Sequence, residues 1–172
     1  MSGEIVLAPV GEVESGVLMH ICEAVREAFG RPCRMRDALP APDYAFNPRR
    51  AQYAARAIVQ QLHLGDATRV LGVVDLDLYV PELNFVFGLA DRDGQRAVIA
   101  LPRLRQSFYG ARDDEAQFLA RAVKEAVHEL GHTCGLDHCH DRRCVMAFSN
   151  SLTDTDYKGK RFCTRCAARL RL

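Results

Sequence analysis

Four of the six histidines, His128, His132, His138 and His140, fall within 13 residues, and five of the seven cysteines lie between Cys134 and Cys166. Borderline and soft ligands gathered in one part of a chain point to metal before disulfide. Inside this cluster, His128-Glu129-Leu130-Gly131-His132 carries two histidines at i and i+4. On a helix they stand one above the other on one face, so both imidazoles reach one ion. Gly135 and His138 extend the pattern to H-E-x-x-H-x-x-G-x-x-H. Chance gives the five-residue core in roughly one chain in a hundred, and the two additions lower that by a further factor of about several hundred. Gly135 can adopt positive φ, ending the helix and turning the chain so that His138 meets the same ion from another side. Three neutral imidazoles leave a fourth position on zinc open to water, as a catalytic site requires. Glu129 cannot reach that ion without straining the helix. It is expected as general base, taking a proton from a zinc-activated water as it attacks a carbonyl and delivering it to the leaving amine.

The elements that must position these groups follow from periodicity. Glu4 to Val10 reads as a first strand. Ser15 to Phe29 carries an apolar stripe (Val17, Leu18, Ile21, Val25, Phe29) closed by Gly30, a helix. Arg31 to Arg36 is a short strand, and the proline-rich stretch from Leu39 to Pro48 is a loop. Asn47-Pro48 reads as an N-cap followed by proline, opening a second helix through Tyr53, Ala57, Ile58, Gln61 and Leu62 to Gly65. Arg69 to Leu78 is a strand, buried at its start and alternating later. Asn84 to Ala90 and Arg96 to Leu101 flank Asp91-Arg-Asp-Gly94, a hairpin signal that makes one strand antiparallel. The third helix begins near Asp113, with Leu119, Ala122, Val123, Ala126, Val127 and Leu130 covering the face opposite the histidines. The fold class is therefore α/β: a mixed, mostly parallel twisted sheet with one antiparallel edge strand, an active-site helix and a small metal-rich C-terminal part. The run from Asn84 to Ala90, as the antiparallel edge, would bind an extended peptide by β-augmentation.

The extended histidine motif resembles the metzincin metalloproteases, whose three-histidine signature is followed by a Met-turn. Met146 in Cys144-Val-Met146 matches the Met-turn residue, packing beneath the metal. H-E-x-x-H-x-x-G-x-x-H-C-x4-C-x-M followed by Cys163-Thr-Arg-Cys166 looks like the archaemetzincins in particular. That resemblance covers about the last 40 residues. It implies a second, structural zinc on Cys139, Cys144, Cys163 and Cys166, hence two Zn2+ per chain. The spacing also supplies four thiolates for a closed tetrahedral site, with two disulfides as the alternative. Arg143, Lys160, Arg161 and Arg165 lie close in sequence to offset the thiolate charge. The expected organisation is one metalloprotease domain over residues 1–172, with 1–135 ending in the active-site helix and 136–172 carrying the Met-turn and the four cysteines.

Composition adds limits. Of 172 residues, 48% are hydrophobic and 26% charged, enough apolar material for a core. A net charge of +1 offers no electrostatic handle for nucleic acid or an anionic membrane. The N-terminal stretch lacks a basic n-region, and no apolar run is long enough to span a bilayer, so a cytoplasmic protein is expected, and it is taken to be a monomer. The expectation is a zinc-dependent metallopeptidase acting on a peptide or protein substrate. The alternative is a catalytically idle zinc-stabilised peptide- or protein-binding module. Cys134 is expected to be small and buried, Cys22 and Cys33 to be core or near-core thiols, and His140 to be exposed. His20 and His63 fall on expected helices without a partner, and Asp137 is a candidate to orient His138.

Overall fold

The computed structural model describes residues 3–170. In chain order its elements are β1 (Ile5–Val10), α1 (Ser15–Phe29), β2 (Cys33–Met35), β3 (Phe46–Asn47), β4 (Gln52–Ala54), α2 (Ala55–Gln61), β5 (Arg69–Val74), β6 (Leu78–Tyr79), β7 (Gly88–Asp91), β8 (Arg96–Ala100), α3 (Glu115–Thr133), α4 (Leu152–Tyr157) and α5 (Thr164–Arg169). A five-stranded sheet runs in the order β2-β1-β5-β8-β7. Its strands are parallel except β7, which pairs antiparallel with β8 through Gly88↔Ile99 to Asp91↔Arg96. The Asp-Gly hairpin thus makes the single antiparallel edge that its turn residues called for. No described helix is long and apolar enough to cross a membrane.

The central strands are buried on both faces, as parallel sheets are. Their period of two divides the core. Ile5, Leu7, Leu71, Val73, Ala97 and Ile99 pack under α1 and α3, together with Cys144, Val145 and Met146. Val6, Ala8, Val10, Val70, Val74 and Val98 pack on the opposite face against Ile58, Val59 and Leu62 of α2. Helix α1 has the expected boundaries. Gly30 closes it in the left-handed conformation, its N–H donating to the Arg26 carbonyl.

Three expectations are corrected. Asn47-Pro48 opens a turn, with the Asn47 side chain accepting from the Arg49 N–H. β3 and β4 then pair antiparallel, β4 pairs parallel with β6, and the helix begins only at Ala55. Tyr53 belongs to this small three-stranded sheet because its backbone finds a ladder opposite Leu78. The strand from Arg69 likewise stops at Val74 and the chain bends through Asp75 and Asp77. Each carboxylate there takes two hydrogen bonds from a guanidinium, Asp75 from Arg105 and Asp77 from Arg103. Residues 84–87 precede β7: Val86 bridges to Leu78 of β6, and only the Phe87 carbonyl still accepts from the Ala100 N–H of β8, so the edge strand is shorter than its apolar run.

Candidate active site

Helix α3 positions the first two histidines. Asp114 caps it, accepting from the Gln117 N–H. The expected amphipathic helix, buried on one side and open on the other, is only its first half. From Arg121 to Thr133 every residue except Lys124 is buried. The polar members of that half therefore need protein partners. Arg121 donates two hydrogen bonds to Asp156 and one to the Leu104 carbonyl. Glu125 meets Lys158 Nζ at 3.1 Å, with side-chain exposures of only 3% and 1%, and accepts from the Thr155 hydroxyl.

The histidines are oriented by backbone carbonyls. His128 Nδ1–H donates to the Val145 carbonyl and His132 Nδ1–H to the Leu136 carbonyl, both at 2.8 Å. These bonds fix the tautomer and leave both Nε2 lone pairs pointing inward. The two Nε2 atoms stand 3.1 Å apart. Two acceptors facing each other with no proton between them repel, and a cation relieves that repulsion. Gly135 takes φ 87°, and the chain returns His138 so that all three ligand atoms lie within 4.8 Å of one another. His138 is the exposed member, with its ring against Phe148 at 5.1 Å between centroids. Burial lowers all three histidines, His132 to about 4 and His128 well below its usual value, where the Lys158 charge adds to the effect. They are neutral at neutral pH, the state a ligand requires.

Glu129 lies beside this triad with its side chain against Gly88 of β7. Burial and the Glu125 charge push its carboxyl up to about 8. Met146 is fully buried, its sulfur seated against Gly131, where a side chain would collide with it. A cleft of about 570 Å3 opens over Glu129 and the three histidines. Its walls come from residues 83–90 on one side and from Phe148, Ser149 and Asn150 on the other. Ser149 Oγ is buried with no protein partner among the described residues.

The second group lies next along the chain. Sγ atoms of Cys139, Cys144, Cys163 and Cys166 all lie within 4.8 Å of one another, and none is in a disulfide. Cys163 N–H donates to Cys144 Sγ, and Arg165 approaches Cys139 Sγ at 3.5 Å. Burial pushes the Cys139 thiol up, but the Arg165 guanidinium and the Asp141 N–H outweigh it and bring it to about 7. Of the compensating cations expected, Arg165 is the one with a hydrogen bond to sulfur.

Other expectations resolve as follows. Cys134 is buried and His140 exposed. His20 lies on α1, whereas His63 falls beyond the end of α2. Asp137 pairs with Arg92 of the β7–β8 hairpin at 2.8 Å, and Arg92 Nη2 stands 3.3 Å from His132 Nδ1. Because that nitrogen's proton already serves Leu136, Arg92 acts there as a charge and not as a donor. The sequence reading missed Gly88, Arg92 and the Lys158–Glu125 pair. Gly88 carried one usable signal, a glycine inside an otherwise β-rich run, which marks close approach.

The model of peptidase family M54 matches residues 31–172. The archaemetzincin of Methanocaldococcus jannaschii is 42% identical over 166 residues, covering 96% of this chain and 92% of that protein. That of Pyrococcus furiosus is 40% identical over 179 residues, covering 99% and 93%. Among solved structures, the archaemetzincin of Archaeoglobus fulgidus complexed with malonate superposes with a TM-score of 0.87 at 35% identity, covering 97% of this chain and 99% of that one. A zinc-dependent peptidase from Methanocorpusculum labreanum gives 0.86 at 29% identity, covering 96% and 98%.

Proposed function

Since this chain belongs to peptidase family M54 and is a zinc metallopeptidase, we propose that His128, His132 and His138 hold its catalytic zinc and that Glu129 is its general base. The observation that carries this reading is the pair of facing Nε2 atoms, 3.1 Å apart, with Glu129 beside them in the same cleft. The donor set fits the metal: three neutral imidazoles, two of them locked by carbonyls. Zinc supplies Lewis acidity when bound, making water a nucleophile near neutral pH and polarising a carbonyl.

The chain's own groups do the rest. Glu129 takes the proton of the attacking water and returns it to the leaving amine. Burial raises its carboxyl in the metal-free protein, and the charge of a zinc held on the three histidines would oppose that rise and favour the ionised form that a base requires. The β7 edge is free for an extended substrate to join by backbone hydrogen bonds, and Phe85, Phe87 and Phe148 give the cleft an apolar lining for its side chains. Met146 seats its sulfur against Gly131, the residue before His132 in the helix.

Cys139, Cys144, Cys163 and Cys166 hold a second, structural zinc in this reading. Four sulfurs converging on one point fit a tetrahedral thiolate site better than two pairwise links. The test is a peptide-library digest read by mass spectrometry, run beside a Glu129→Ala variant with metal content measured in both. Cleavage by the parent alone, with zinc retained in the variant, is expected. A variant that cleaves as fast as the parent removes Glu129 from the mechanism.

A further inference from the structure

Two cysteines lie outside both metal groups. Cys22 sits in the middle of α1, on the flank of the buried stripe formed by Ile21 and Val25, and Cys33 opens β2. Their sulfurs are 2.8 Å apart, both half-buried. Regular structure holds them there. Cys33 is in ladder register with Ile5, Gly30 ends the helix with its N–H on the Arg26 carbonyl, and the Ile5 N–H donates to the Pro32 carbonyl. A disulfide bond needs the sulfurs about 2.05 Å apart, so closing it requires an approach of roughly 0.8 Å, within reach of a small side-chain rotation.

We propose that Cys22 and Cys33 are a site of reversible covalent modification, closing to an intramolecular disulfide that ties α1 to the far edge strand of the sheet. The oxidant is a low-molecular-weight disulfide, RSSR. A Cys22 thiolate attacks one sulfur of RSSR, forming a mixed disulfide and expelling RS−, which takes up a proton. The Cys33 thiol then gives its proton to solvent and attacks Cys22 Sγ, expelling the second RS−. Two cysteine thiols and one RSSR become one protein disulfide and two RSH. Burial, together with the adjacent Cys22 and Glu4, holds the Cys33 thiol protonated, so Cys33 reacts second, after the mixed disulfide has removed the hydrogen bond and charge of Cys22.

The bond closes a loop of 12 residues (22–33) on the edge of the sheet opposite β7, so it stabilises the fold without entering the cleft. The entropy removed from the unfolded chain corresponds to a rise of about 5–10 °C in melting midpoint. The experiment incubates full-length, zinc-loaded protein with oxidised glutathione, alkylates free thiols under denaturing conditions, and maps tryptic peptides. Cys22 falls in peptide 1–26 and Cys33 in 27–34, since trypsin does not cut before Pro32. The expected result is a 1–26/27–34 linked pair that dithiothreitol reverses. The higher midpoint should disappear in Cys22→Ala and in Cys33→Ala, and peptidase activity and zinc content should not change. Recovery of both cysteines alkylated, a persistent glutathione adduct on Cys22, or linkage to any of the four clustered cysteines would each overturn the proposal.

Discussion

Replacing Gly88 by alanine tests the placement of the proposed base without touching a metal ligand. A Cβ at Gly88 falls 2.6 Å from Glu129 Cγ, 2.8 Å from Glu129 Oε1 and 2.8 Å from the Val98 carbonyl oxygen. Ordinary contact begins at 3.4 Å, so the overlap with Glu129 is 3.4 − 2.6, or about 0.8 Å. Val98 is held on both sides by Gly72 and Leu89 in the ladder, so the Glu129 side chain yields to one overlap while β7 itself must move to relieve the other, against the Val98 carbonyl. A shift of about 1 Å in a catalytic group lowers rate by about 10²-fold. At 1.36 kcal/mol per decade, that is about 2.7 kcal/mol of transition-state stabilisation. Overpacking itself destabilises the fold by about 1–3 kcal/mol, or about 2–12 °C in melting midpoint. Gly72→Ala is the control. Its Cβ meets Leu62 Cδ1 at 3.0 Å and Val98 Cγ2 at 3.3 Å, on the sheet face covered by α2. It should lower the midpoint while kcat/KM per folded molecule stays at the parent value. The assay is cleavage of a fluorogenic peptide, with zinc content and melting measured on the same samples. A folded, zinc-loaded Gly88→Ala protein that cleaves within about twofold of the parent refutes the close seating of Glu129 on β7.

Mild chelation should remove about one zinc per chain and abolish cleavage while the fold survives, because an open three-ligand site exchanges more readily than one closed by four thiolates. Cys163→Ser should instead lower the melting midpoint, and a variant melting like the parent argues against a structural metal there. Lys158→Met leaves Glu125 buried without its cation, at a cost of about 3–5 kcal/mol read by denaturant titration. An unchanged midpoint concentration would mean that the pair contributes nothing to the fold. Protonation gives a fourth expectation. In the chelated protein His132 resists protonation down to about pH 4, while in the unfolded chain histidine titrates near 6.5. Between those values the unfolded state binds more protons, so stability is full above about pH 6.5 and falls as pH drops towards 4. Melts of the chelated protein across that range should show the decline, and a flat profile contradicts it.

The convergence of the three histidines was legible because its geometry is local: two imidazoles one helical turn apart and a third just beyond a glycine with φ 87°. Helix α1 was legible for the same reason, its stripe and its closing Gly30 being adjacent features. What escaped was set by partners far along the chain. Val73-Val-Asp-Leu-Asp-Leu78 alternates like a strand, yet it bends because Arg103 and Arg105 bind the two carboxylates from 26 and 30 residues away. Gln52–Ala54 carries part of a helical stripe and still pairs as strand, since β6 supplies a ladder. The burial of Glu125 and Arg121 was invisible in α3 itself, because the groups that make it tolerable, Lys158 and Asp156, sit beyond the second cysteine.

His138 and Cys139 are consecutive residues, and the Cys139 N–H is further tied to the carbonyl of Met146 at 2.9 Å. One peptide bond therefore joins a member of the histidine group to a member of the cysteine group. In the proposed two-zinc reading, whatever freedom a metal on the thiolates removes from Cys139 is removed from His138 as well, so the imidazole would meet its ion with part of its ordering entropy already spent. Thermodynamic reciprocity then gives the converse for that reading: an ion on the histidines would raise the affinity of the four sulfurs for theirs by the same factor. Titrating one metal against the occupancy of the other would measure that shared factor, and the two sites would behave as a cooperative pair inside a single small chain.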